Sequence, residues 1–386
     1  MTLPSFAAVA HDFASRAEAR HTLRLRLEEL SIELRSNSAE VAEDLRGYFA
    51  EFLEPRAGGT ADLSFLFIDG PVVEPPVALA ERPAKPGKRR DKERWEDLPG
   101  GAGGACGACR PDEAPAGRLV RKQATGMLFL FGRAGLRQVN MALGPCAENR
   151  NQLVNFICAR YMERRLASGW ALGHASGVAQ GGRAVALCGF AGMGKSTLAL
   201  HLLTRGLDFV SNDRVLIEPG PAGGCLPMLH GIPKHPRVNP GTALGNPDLA
   251  GPLASALPEA SRRAYAHLPE DELRGVEDKF DAKIDECFGP GRFRLAAHMV
   301  GVVVLNWEHG GAEPFRARRV DLRRRPDLLE ALRKPPGVFY LPQAIEGRAR
   351  LSSTACLEAL DGASALEFTG RADFMAAASA CLDILG

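Results

Sequence analysis

The run Gly189-Phe190-Ala191-Gly192-Met193-Gly194-Lys195-Ser196 brings glycines, a lysine and a hydroxyl together in the G-x4-G-K-S spacing of a Walker A loop. That combination suits a polyphosphate. Glycines let backbone N–H groups turn inward toward phosphate oxygens, and a helix opening at the end of the loop adds positive potential. Lys195 is expected to neutralise the β and γ phosphates, and the Ser196 hydroxyl to ligate Mg²⁺. The expected cradle is Gly189, Ala191, Gly192, Met193, Gly194, Lys195, Ser196 and Thr197, with a nucleoside triphosphate and Mg²⁺ as its ligands. A chance glycine-rich turn is the alternative. Against it, Ala184–Leu187 before the loop reads as a strand and Thr197–Leu203 after it as a helix, the context this motif needs.

The next element, LDFVSNDRVLIE (207–218), ends a short apolar strand in Asn212 and Asp213. A carboxylate at a strand end one helix beyond the loop is where a second metal contact belongs, so Asp213 is expected to join Ser196 as a metal ligand. Its alternative role is to close a turn between strands at 207–211 and 214–218. Three further features carry less. Glu277, Asp281 and Asp285 would share one face of a helix, where a solvated acidic stripe competes with a second metal site. Cys106 and Cys109 form a lone C-x2-C, too few ligands for zinc. The basic stretch 316–334 reads as a solvated helix face or partner contact.

These residues must be held by a larger frame. At 386 residues the chain can form two domains. Lys and Arg total 48 against 46 acidic residues, so charge gives no general pull toward nucleic acid or an anionic membrane. No stretch has membrane-spanning length. The nine cysteines follow no disulfide-scaffold pattern and read as reduced thiols in a cytoplasm. Residues 22–53 alternate as a strand and then repeat at helical spacing. DLSFLFIDG (62–70) reads as a strand, so residues 1–80 are expected to form a small N-terminal α/β domain. Residues 81–117, rich in Pro, Gly and charge, are expected to be a flexible insertion. Residues 118–386 then form the main domain, with a strand at 126–132, an amphipathic helix at 151–167 and a doubly covered strand at 300–307.

The run HASGVAQGGRAVALCGFAGMGKSTLALHLLTRGLDFVSNDRVLI resembles the core of the HPr kinase/phosphorylase superfamily, with NQLVNFI, KHPRVNPGTAL and VEDKFDAKI closest to the HprK-related kinase B group. The resemblance is strong over about 170–245 and does not extend to the regulatory domain of bona fide HPr kinases. It implies an α/β fold, a P-loop core of the HPr kinase/PEP carboxykinase type with a mixed sheet. It also implies that His174 lies beside the transferred phosphate, that Arg237 clamps phosphate oxygens and that Lys234 adds a point charge. A structural histidine and a solvated basic loop are the respective alternatives; Ser176 is a weaker candidate. Bona fide members carry two adjacent aspartates, the first assigned as base. Here Asn212 takes that position, and an amide cannot accept a proton at neutral pH.

The catalytic set implied is therefore His174, Lys195, Asp213 and Arg237, in an ATP-dependent kinase acting on a hydroxyl of a protein, peptide or small molecule. The resemblance also implies self-association and a pathway beside an ATP-grasp-type protein. The competing expectation is a nucleotide-binding or hydrolysing switch, or a scaffold, without a phosphate acceptor. Asn212 favours it.

Overall fold

A computed structural model describes residues 3–54, 59–81, 92–100, 115–135, 137–221, 224–276, 278–341 and 351–386. It is a mixed α/β chain of two units, Met1–Arg164 with Pro336–Glu346, and Arg165–Pro335 with Gly347–Gly386. The expected boundaries at 80 and 118 are therefore corrected. The physical reason is strand pairing. β1 (His21–Leu27), β2 (Leu30–Ser36), β3 (Leu63–Asp69), β4 (Glu93–Leu98), β5 (Gly117–Lys122), β6 (Leu128–Ala134) and β7 (Arg137–Gly144) share one sheet in the order β1-β2-β3-β7-β6-β5-β4. The parallel pairing of β3 with β7 joins its two halves. β4, within the stretch expected to be flexible, pairs along its length with β5; Cys106 and Cys109 lie outside the described residues.

Strand alternation divides this sheet's burial between two faces. Leu66 and Ile68 of β3 join Leu128, Leu130, Met141 and Leu143 under helix α1 (Phe6–Ser15), which contributes Phe6, Val9 and Phe13. Phe65, Phe129 and Phe131 face the other way, each within 6.0 Å of the Phe156 ring on helix α3 (Arg150–Leu166). Helix α2 (Ala39–Tyr48), capped by the Ser38 hydroxyl, buries Val41 and Leu45.

The second unit holds the glycine loop. β8 (Ala171–Gly173), β9 (Ala175–Gln180), β10 (Arg183–Gly189), β11 (Asp208–Ser211), β12 (Val215–Glu218), β13 (Met228–His230), β16 (Ala296–Leu305), β17 (Arg316–Arg319) and β18 (Ser364–Thr369) form its mixed sheet. The pair β14 (Arg237–Val238) and β15 (Phe280–Asp281) stands apart. β10 pairs parallel to β16 and antiparallel to β9. β16 is long enough to receive β13 along its first residues and β18 along its last. Ala184, Ala186 and Cys188 of β10 join Leu328 and Leu332 of the helix Pro326–Leu332 in one core. On the opposite face, Val185 and the C-terminal helix Phe374–Leu385 converge on Gly301, whose bare Cα leaves room for Ile384. A central strand covered on both faces is rigid, and its end is a firm place to start a loop.

Two expectations fail here for tertiary reasons. Residues 278–286 do not form one helix, because Phe280–Asp281 pairs with Arg237–Val238 before a short helix opens at Ile284; Glu277 lies outside the described residues. In the basic stretch 316–334, Arg316–Arg319 is an exposed edge strand, and the helix begins only at Pro326 and runs to Leu332. No described helix is long and apolar enough to cross a membrane.

Candidate phosphate-binding site

The site is built where β10 ends. Gly189 closes the strand, the loop runs through Gly194, and helix α4 (Lys195–Thr204) begins at Lys195. Gly192 and Gly194 both take a φ of +82°, which costs an L residue roughly 1–2 kcal/mol. At Gly194 a Cβ would also stand 2.8 Å from Cζ of Phe374. Glycine is required there twice over, by conformation and by space.

Loop carbonyls are engaged by side chains. The Lys195 ammonium donates to the carbonyls of Gly189 at 2.7 Å and Phe190 at 3.0 Å. The Trp307 indole N–H donates to the Met193 carbonyl at 2.9 Å, and His309 Nε2 lies 3.1 Å from that of Gly192. The N–H groups are treated differently. Met193 donates to Phe190 O, but among the described residues those of Ala191, Gly192, Gly194, Lys195, Ser196 and Thr197 donate to no protein carbonyl. Gly194, the helix N-cap, has no side chain to satisfy them. Unsatisfied N–H groups at a helix start are a ready anion site.

Beside the loop lies a polar set from β9, α4 and the turn after β11. The Asn212 amide oxygen accepts from the hydroxyls of Ser176 and Ser196, each at 2.7 Å. Ser176, fully buried on β9, thus serves the loop through Asn212. Asp213 takes a φ of +68°, a conformation a non-glycine residue holds only when its surroundings impose it. Its Oδ1 accepts from the Lys334 ammonium at 2.8 Å and lies 3.3 Å from His174 Nε2; Oδ2 is 3.6 Å from Arg214 Nε. His174 itself is pinned by its backbone N–H, which donates to Leu332 O at 2.5 Å. Burial would raise the Asp213 carboxyl, yet the His174 hydrogen bond and the Lys334 charge together hold it well below the usual carboxylate range. Burial lowers the Lys195 ammonium, and Asp213 partly restores it; the same two influences act on Lys334.

The structure thus gathers Ser176, Lys195, Ser196, Asn212, Asp213 and His174 around one strand end. Arg237 stands differently: its guanidinium is exposed, donates to Lys279 O at 2.7 Å and lies 3.7 Å from Asp281. Among the described residues no hydrogen bond ties it to the loop. His235 is buried and accepts the Ile284 N–H at 3.3 Å, a structural position. Lys234 follows Ile232, whose N–H donates to Ser211 Oγ at 3.3 Å, so it runs beside the end of β11. Asn239, Pro240 and Gly241 open a short helix.

Sequence reasoning missed Trp307, His309, Phe374 and Lys334. Phe374 supports Gly194 and stacks on His201 at 5.4 Å, while Trp307 meets Phe374 edge-on at 5.3 Å. The one available signal was that Asn306-Trp307 follows the apolar strand β16, parallel to the strand that feeds the loop. Nothing in the local sequence marks Lys334.

For Mg²⁺ the donor set fits in kind. Ser196 and Asp213 offer hard oxygen atoms, and Mg²⁺ sites typically combine one or two protein ligands with substrate phosphates. Among the described residues no cluster of three or more His, Cys, Asp and Glu is poised for a metal. A metal held by these two residues would need most of its shell from a bound ligand or water.

No protein family and no curated protein matches the chain. Among solved structures, one described as the Hpr(Ser) kinase/phosphatase from Coxiella burnetii is similar at 10% identity, over 55% of this chain and 88% of that one, with a TM-score of 0.26.

Proposed function

We propose that the chain is an ATP-dependent kinase of the HPr-kinase type, transferring the γ-phosphate to a hydroxyl acceptor. The observation that carries this reading is the row of partnerless N–H groups over the G-x4-G-K-S loop, with the loop carbonyls held by side chains. When the triphosphate enters, the Lys195 ammonium leaves the carbonyls of Gly189 and Phe190 for β- and γ-phosphate oxygens. Trp307 and His309 keep the neighbouring carbonyls engaged, so the N–H row holds its orientation. Ser196 and Asp213 would hold Mg²⁺, which supplies charge neutralisation across the β and γ phosphates.

Asn212 holds the hydroxyl of Ser196 in place, and His174 fixes Asp213 while facing the transferred group. The acceptor oxygen forms the new bond to phosphorus, and the bridging oxygen leaves with ADP and the bonding electron pair. The acceptor proton passes late to a transferred phosphoryl oxygen and then to solvent, since a loose transition state asks little of a base. Asp213, held ionised by the His174 hydrogen bond and the Lys334 charge, is a poor proton acceptor. Arg237 would reach the phosphates only by leaving Lys279 O and Asp281.

Asn212, an amide that cannot accept a proton at neutral pH, favours a second reading, a nucleotide-hydrolysing or nucleotide-binding switch. Incubation with γ-labelled ATP, Mg²⁺ and cell extract separates the two. Label on an acceptor, lost in Lys195→Ala, supports the kinase; free phosphate alone supports a hydrolysing switch; binding without either supports a scaffold that only binds nucleotide.

A further inference from the structure

The cations around Asp213 outnumber what one carboxylate requires. Lys334 and Arg214 both engage it, with side chains 28% and 18% exposed. Arg214 also donates to Pro335 O at 3.4 Å, which locks it to the segment carrying Lys334. Lys234, half-buried beside the end of β11, makes no side-chain hydrogen bond or ion pair among the described residues. In the kinase reading, Asp213 turns to the metal once triphosphate is bound. Lys334 and Arg214 then lose their counter-ion, and a poorly solvated cation without a partner is costly. The triphosphate does not need them, because Lys195, the N–H row and the metal already meet its charge.

We propose that the phosphoryl acceptor is itself an anion, a small hydroxyl-bearing molecule whose carboxylate or phosphate group binds Lys334, Arg214 and Lys234. This rests on the kinase reading and names its substrate class. Arg214 supplies a planar fork for two oxygens, while the lysines supply point charges. A neutral polyol or an uncharged peptide serine would leave all three unanswered. Lys334 also separates the empty and loaded states: it is the partner of Asp213 before the metal arrives and of the acceptor afterwards.

The test uses the full chain saturated with Mg²⁺ and the non-hydrolysable analogue AMP-PNP, titrated calorimetrically with orthophosphate, succinate and glycerol. The expected result is one-to-one binding of orthophosphate or succinate, with no heat from glycerol. Lys334→Met and Lys234→Met should each weaken that binding at least tenfold, and Lys234→Met should leave AMP-PNP affinity within threefold of wild type. Lys234→Met guards against a folding defect, because Lys234 supports nothing else. The stronger of the two anions identifies the acceptor's charged group. Absence of anion binding to the loaded chain, or binding indifferent to both substitutions, overturns the proposal. Should AMP-PNP not bind, the nucleotide reading fails by itself. The same titration on the ligand-free chain then decides the anion site, whose loss in both variants would uphold it and whose indifference would reject it.

Discussion

Replacing Gly194 with alanine puts the loop's geometry to a quantitative test. The residue sits at a φ of +82°, so any side chain there pays roughly 1–2 kcal/mol in backbone strain. The new Cβ would also fall 2.8 Å from Cζ of Phe374. That ring cannot step aside freely, since Trp307 meets its edge and His201 stacks on its face. Overpacking of this kind costs about 1–3 kcal/mol. Together the two effects amount to about 2–5 kcal/mol, divided between global stability and the loop's ability to hold its N–H row in register. The lower figure alone, if it falls on the loop, weakens triphosphate affinity about 30-fold. Urea denaturation and calorimetric titration with Mg·ATP measure the two shares. A double-mutant cycle with Phe374→Leu separates the causes: the packing share of about 1–3 kcal/mol should return, whereas the strain should remain. A Gly194→Ala protein with wild-type stability and wild-type affinity would refute the reasoning.

Further outcomes follow from the polar and aromatic interior. Burial lowers the Lys195 ammonium in the empty loop, while a bound polyanion favours its charged form, so ATP affinity should fall as pH rises through the lowered value. Between that value and the one in the complex, binding should take up a proton, visible as a heat that varies with buffer ionisation enthalpy. Glu367 is fully buried between Arg318, Arg325 and Asn306; because both arginines reach solvent and Arg325 keeps Asp327, Glu367→Gln should cost about 1.5–3 kcal/mol in urea denaturation. Burial would raise that carboxyl, but Arg325, Asn306 and Arg318 lower it overall, so its stabilisation is present above the ordinary carboxylate range and lost as pH falls through the lowered value. Phe156, against which Phe65, Phe129 and Phe131 pack, should cost about 3–5 kcal/mol when cut to alanine; a loss below 1 kcal/mol would mean the cluster collapses around the gap.

What could be read from sequence was whatever local pattern dictates. The alternation in LSFLFID marks β3 because its two faces bury against different partners, Leu66 with α1 and Phe65 with Phe156. The strand–loop–helix order around Gly189–Ser196 was legible for the same reason. Long-range pairing was not. Glu93–Leu98 looks like solvated linker until Gly117–Lys122 lies alongside it, and that pairing moved the unit boundary to Arg164. The acidic residues near 281 keep helical spacing but yield to pairing with Arg237–Val238, an outcome their own sequence does not encode. The side chains that finish the site arrive from still farther away. Trp307, Phe374 and Lys334 stand more than a hundred residues from the loop and reach it through β16, the C-terminal helix and the segment after Leu332. Asn212 was visible only as a departure from an expected aspartate; its bond to both Ser176 and Ser196 required the antiparallel pairing of β9 with β11.

The central claim is that the loop after β10 holds a nucleoside triphosphate. Calorimetric titration of the purified chain with ATP and Mg²⁺ at neutral pH, beside Lys195→Ala, tests it most directly. The account predicts saturable one-to-one binding by the wild type and at least a tenfold loss in the variant at unchanged melting temperature. Equal affinity in the two proteins, or no binding by the wild type at millimolar ATP, would contradict it.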